Sequence, residues 1–135
     1  MKHNIRFHGI FCDDIRQEIG NKVTLVGCYG DELYVPDFPA HIHKLCVHFI
    51  LTSIDERSDQ DLDVSVMTFI NSDKGPQVRF KIKSGTDMNG GFEIHNLNVK
   101  EENTIVLKAV IDGKEYFGGR VIIKKPPKDP QEDTN

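Results

Sequence analysis

Short runs rich in β-branched and aromatic residues recur about every 10 to 15 positions, with Gly, Pro, Asn and Asp between them. This is the spacing of a β-sandwich or barrel. The runs predict eight or nine strands, near residues 5–12, 22–30, 32–35, 44–54, 62–71, 77–84, 91–97, 104–112 and 114–124. No segment keeps an i, i+3, i+4, i+7 apolar pattern long enough for a substantial helix. A single helical turn at residues 13–18 is the one helical expectation. The expected fold class is therefore all-β, an antiparallel β-sandwich.

Alternation is clearest at Val78-Arg79-Phe80-Lys81-Ile82-Lys83, where the three apolar residues face a core and the three cations face water. Lysines of this kind guard an edge strand against aggregation, and without an interleaved aromatic set to stack bases the stripe is no platform for nucleic acid. Asp112-Gly113 between two apolar runs is a two-residue hairpin signal that pairs Ile111 with Lys114 and Ala109 with Tyr116. Continued unbroken, that register puts Val121 and Ile123 on the wrong face. A bulge at Gly118-Gly119 corrects it by one residue.

The 135 residues fit one domain, expected over residues 1–125, followed by a disordered Pro-rich polar tail at 126–135. Hydrophobic content of 38%, charged content of 28% and a net charge of −4 describe a globular protein with little affinity for nucleic acid. The first residues lack the apolar core of a signal peptide and no run approaches the roughly 18 apolar residues of a membrane span, so a cytoplasmic setting without membrane contact is expected. The three cysteines, at 12, 28 and 46, show no C-x-x-C spacing and predict reduced thiols.

Parity along the runs adds a less obvious inference. Odd positions bear the heavier apolar load, with Ile5, Phe7 and Phe11; Val23, Leu25 and Tyr29; and Leu45, Val47, Phe49 and Leu51 forming the expected core. The even positions hold Ile10, Cys12, Val26, Cys28, Cys46 and Ile50 between Arg6, His8, Thr24 and His48. That face is too apolar to be fully wet, and a cover is expected: the loop at residues 37–43, a second copy of the chain, or a ligand.

Charged residues cluster most densely in Cys12-Asp13-Asp14-Ile15-Arg16-Gln17-Glu18. Asp13 or Asp14 can cap the helical turn, or Asp13, Asp14, Arg16 and Glu18 can form a polar contact site at one end of the sandwich. No apolar pocket surrounds either aspartate to support acid–base chemistry. His41 and His43 lie on one side of an extended chain as weak metal candidates, two ligands short of a closed zinc site. Asp55 to Asp63 reads as a solvated turn, because no second acidic loop of that density could complete a calcium site. Asp87-Met88-Asn89-Gly90-Gly91 reads as a turn without the lysine of a phosphate loop. Cys46 and His48 share a strand face, about 6 to 7 Å apart at the backbone, too loose for a nucleophile and its base. No cofactor and no enzymatic activity are expected.

The pattern Phe-x-x-x-Phe-Cys-Asp-Asp-Ile-Arg-x-Glu, then Gly20-Asn21-Lys22-Val23-Thr24-Leu25-Val26-Gly27 and Tyr34-Val35-Pro36-Asp37-Phe38-Pro39, resembles a family of small uncharacterised bacterial and phage proteins, a domain of unknown function. The resemblance covers about the first 50 residues and, more loosely, the hairpin at Ile111-Asp112-Gly113. It also aligns Tyr29-Gly30-Asp31-Glu32 with an aromatic residue plus aspartate of the family. It implies a single β-sandwich with an immunoglobulin-like outline and transfers no functional residues. The expected function is a non-enzymatic binding or interaction module for another protein or a second copy of itself. Its contacts are assigned to Asp13, Asp14, Arg16 and Glu18 and to an apolar patch of Ile10, Val26 and Ile50. A sandwich that binds a small molecule or sugar is the alternative, disfavoured by the absence of Trp. An unrecognised hydrolase or metalloenzyme comes third.

Overall fold

The computed structural model describes residues 4–128. Among them are nine strands and no helix: β1 (Ile5–Glu18), β2 (Lys22–Cys28), β3 (Glu32–Tyr34), β4 (Ala40–Ser53), β5 (Asp61–Ile70), β6 (Asp73–Lys83), β7 (Asp87–Val99), β8 (Asn103–Ile111) and β9 (Lys114–Lys124). They form two sheets packed as a sandwich, one in the order β2-β1-β4-β7 and the other in the order β3-β9-β8-β5-β6. Every strand pairing is antiparallel except β3 with β9, where the short β3 runs parallel to the last strand. Residues 126–128 follow β9 without forming a strand, and the rest of the expected tail lies outside the described residues.

The core fills the space between the sheets. Odd residues of β1 and β4 (Phe7, Phe11, Leu45, Val47, Phe49 and Leu51) meet Leu62, Val64 and Val66 of β5, Ile105, Leu107 and Ile111 of β8, and Val121 and Ile123 of β9. The Phe49 ring stacks on Phe80 from the other sheet, with centroids 6.0 Å apart and planes 8° apart, and lies tilted against Phe7. Glycine makes this fit. A Cβ on Gly90, the cross-strand partner of Phe49, would lie 2.6 Å from the Phe49 ring. Gly90 and Gly91 are accordingly part of β7, not of the turn expected at residues 87–91.

The hairpin and bulge follow the sequence reading. Ile111 pairs with Lys114 and Ala109 with Tyr116, across Asp112 and Gly113, which both have positive φ. The register slips by one residue as Lys108 pairs with Phe117 and Leu107 with Gly119, and Val121 and Ile123 come to full burial. Gly118 must lack a Cβ because one would lie 2.3 Å from the Phe7 ring. β6 ends its sheet, with Arg79, Lys81 and Lys83 exposed and Val78, Phe80 and Ile82 half-buried.

Three further expectations need correction. Residues 13–18 are not a helical turn. They continue β1, because Gly20 and Asn21, both at positive φ, turn the chain back and pair Glu18 with Lys22 and Arg16 with Thr24. Cross-strand pairing thus overrides the local capping preference of Asp, and neither Asp13 nor Asp14 is a cap. Residues 40–43 are not loop but the start of β4, paired with the end of β7. Val23 is not core: β2 is joined only to the outer half of β1, away from the second sheet.

Gly9 offers a sharp test of the packing. A Cβ there would lie 2.0 Å from Leu107 Cδ2, in a fully buried contact between the sheets. Gly9→Ala is expected to cost about 1–3 kcal/mol by overpacking and Leu107→Ala about 2–5 kcal/mol by leaving a cavity. The double variant relieves the clash, so urea melts should give it a cost smaller than the sum by more than about 0.5 kcal/mol.

Candidate functional site

β1 serves two partners in succession. From Ile5 to Cys12 it pairs with β4, and from Cys12 to Glu18 it pairs with β2. Past Cys12 the β1–β2 hairpin therefore leaves β4 and forms an arm. From Lys44 to Ile50 the even residues of β4, and from Asn89 to His95 the odd residues of β7, face away from the core on this sheet, since Phe49 and Ile94 point inward. Past Asn96, which has positive φ, the faces exchange, and Ala40, Ile42, Leu97 and Val99 pack on the core. The arm lies across that outer face, where Ile15 Cδ1 would be 2.9 Å from a Cβ on Gly91. The Cys46 thiol donates to the Asp13 carbonyl at 3.6 Å, and Lys44 Nζ donates to Asp14 Oδ1 at 2.9 Å. Cys46 is fully buried and His48 is 8% exposed although both belong to the outer face.

The cover expected for the semi-apolar face is thus the chain's own arm, not the loop at residues 37–43. Between arm and sheet remains a cleft of about 760 Å³, lined by Ile15, Gln17 and Val23 of the arm, His48 and Ile50 of β4, and Asn89, Gly91 and Glu93 of β7. Val23, expected in the core, looks into this cleft. A smaller groove of about 510 Å³ lies where β1 meets β9, lined by His8, Ile10, Tyr29, Asp31, Phe117 and Arg120 among others.

The predicted contact residues divide accordingly. Asp13 accepts a hydrogen bond from the Tyr29 hydroxyl, with its side chain over Gly27, where φ is 66° and a Cβ would collide with it. Burial, then this bond, pushes the Tyr29 hydroxyl up to about 12. Asp14 accepts from Lys44 and from Arg16 Nε at 3.2 Å, and these two cations hold its carboxyl below its ordinary value. Glu18 accepts from Thr24 Oγ1 across the arm at 3.1 Å. The charged cluster therefore ties the arm together and ties it to β4. Nor do Ile10, Val26 and Ile50 form one patch: Ile50 lines the cleft, Ile10 the smaller groove, and Val26 sits on the face of the arm opposite Val23.

His41 and His43 are exposed, their ring centroids 6.5 Å apart, and His41 Nδ1 lies 2.8 Å from Asn98 Oδ1. Among the described residues, no three or more His, Cys, Asp or Glu are grouped so as to hold a metal ion. Cys46 and His48 do share the outer face, yet the thiol is aimed at a carbonyl and burial raises it, while burial lowers the His48 imidazole. That is the reverse of an activated thiolate–imidazolium pair. No helix among the described residues is long and apolar enough to cross a membrane.

Sequence reasoning missed Ile15, Gln17 and Val23 as cleft residues. The available signal was Gly20-Asn21 between two runs of extended character, a turn dipeptide that marks a hairpin. The molecule is thus a β-sandwich whose first hairpin arches over one sheet and leaves an open cleft beneath. The chain belongs to a family of unknown function (DUF6941), whose profile matches residues 8–119, a span that takes in the arm and the whole cleft. No curated protein matches the chain.

The anchoring of the arm has a pH signature. Asp14 is ionised and paired in the folded state, with its carboxyl below the ordinary 3.8. The stability it contributes is fully present above that value and is lost as pH falls through the lower, folded value. Thermal melts of Asp14→Asn should therefore fall below wild type at neutral pH and converge with it in acid, at a pH under the folded value. A difference that persists unchanged in acid would assign the loss to packing instead.

Proposed function

We propose that the protein is a non-enzymatic binding module of the cytosol that takes an extended peptide segment of another protein into the cleft beside β7. The observation that carries this reading is the contrast between its two long edge strands. β6 is guarded by Lys74, Pro76, Arg79, Lys81 and Lys83, whereas the 13 residues of β7 contain no Lys, Arg or Pro. With Asp87 and Glu93 as its only carboxylates, β7 is the less guarded edge, and long edges of this kind invite another strand. β-Strand addition supplies main-chain hydrogen bonds along such an edge, and a neighbouring pocket supplies side-chain selectivity.

The cleft suits that division of labour. Ile15, Val23 and Ile50 offer apolar contact, and Gln17, Asn89 and Glu93 offer polar partners, all beside the first half of β7. The second reading, a small-molecule site, is favoured by the cleft volume alone, which falls within the roughly 300–1,000 Å³ of ordinary ligand pockets.

A displayed random-peptide library selected against the folded protein tests the proposal. Enriched peptides should bind wild type and lose about tenfold or more in affinity to Ile50→Asp, a loss of about 1.4 kcal/mol or more. Ile50 is 43% exposed, so the melting temperature of that variant should stay close to wild type. Peptides that bind Ile50→Asp undiminished, or none enriched at all, would remove the cleft from consideration as a peptide site. A thermal shift with a metabolite set, in the absence of peptide binders, would favour the small-molecule reading.

A further inference from the structure

Cys28 of β2, Cys12 of β1 and Cys46 of β4 stand in one row across the sheet, Cys12 being the direct cross-strand partner of both others. All three are free thiols. The Tyr29 N–H donates to the Phe11 carbonyl at 2.8 Å, which makes Phe11 and Tyr29 a hydrogen-bonded pair. Alternation along the ladder then makes Cys12 and Cys28 a non-hydrogen-bonded pair, the type whose Cα atoms come within about 4.5 Å and whose side chains lie closest. That separation falls inside the roughly 4.4–6.8 Å across which a disulfide closes. Access separates the three: Cys28 is exposed, while Cys12 and Cys46 are buried. An oxidant in solution reaches only Cys28, and the thiol standing opposite Cys28 is Cys12.

We infer that Cys28 and Cys12 form a two-thiol redox site at the root of the arm, closed to an intramolecular disulfide by low-molecular-weight disulfides. The Cys28 thiolate attacks one sulfur of RSSR, forming a mixed disulfide and expelling RS⁻, which takes up a proton. The Cys12 thiol then gives up its proton and attacks the Cys28 sulfur, expelling the second RS⁻. Two protein thiols and one RSSR become one protein disulfide and two RSH, so electrons and protons balance. Burial pushes the Cys12 thiol up to about 11, so the second step is the slow one and quickens as pH rises. The bond staples β2 to β1 where the arm leaves β4, and so couples the redox state to the mobility of the cover over the cleft. The site stands whether or not a peptide occupies that cleft.

The test treats folded protein with oxidised glutathione, quenches in acid and maps non-reduced peptides by mass spectrometry. The expected product is a Cys12–Cys28 cross-linked peptide, with the mass of two hydrogens lost and Cys46 still free to be alkylated after unfolding. Cys12→Ser should stop at a glutathione adduct on Cys28, and Cys28→Ser should remain unmodified over the same time. Should Cys12→Ser fail to fold, the wild-type map and the Cys28→Ser variant still decide. A lasting glutathione adduct on wild-type Cys28, a Cys12–Cys46 bond, a disulfide-linked dimer, or no oxidation would each overturn the inference.

Discussion

Cys12 is the last residue of β1 paired to β4 and the first paired to β2, and the rest of the structure follows from that handover. A single 14-residue strand that kept one partner throughout would extend the sheet flat past the end of the sandwich. By changing partners, β1 contributes Phe7, Gly9 and Phe11 to the core with its first half. Its second half builds an arm free to cross the outer face. The cleft exists because one strand is shared between two local structures.

The core tolerates this because close approach on the other side is secured by residues without side chains. Gly9 admits Leu107, Gly90 admits Phe49 and Gly118 admits Phe7, each at distances that a Cβ would forbid. Interiors are packed so densely that such contacts leave little room for alternative arrangements. Together with the one-residue slip at Gly118, they fix how the two sheets face each other, and hence where β4 and β7 present their outer faces to the arm.

Polar groups on the arm then act as fasteners. Asp14 with Lys44, the Cys46 thiol with the Asp13 carbonyl, and Tyr29 with Asp13 hold the root of the arm, and Ile15 packs over Gly91. The Asp14–Lys44 ion pair is partly exposed and worth little in high dielectric, while the Cys46 thiol is buried. An arm held by several weak ties above an open cleft is a part of the molecule that can respond to a bound segment or to a new covalent bond at its root.

By itself the sequence determined an all-β chain of eight or nine strands, the Asp112-Gly113 hairpin with its register, the Gly118-Gly119 slip and the guarded edge at Arg79, Lys81 and Lys83, because each rests on local alternation or turn chemistry. It also marked Cys12 to Glu18 and the even face of β1 and β4 as regions in need of an explanation. Only the tertiary structure decided what that explanation is. Whether Asp13-Asp14 caps a turn or continues a strand depends on a partner strand that pairs beyond Gly20-Asn21, and local propensity for the cap lost to that ladder. That Ile15, Val23, Ile50 and Asn89 meet in one cleft, and that three cysteines distant in the chain align in one row, depends on sheet order and register. Those are set by non-local packing between the sheets, which no period along the chain encodes.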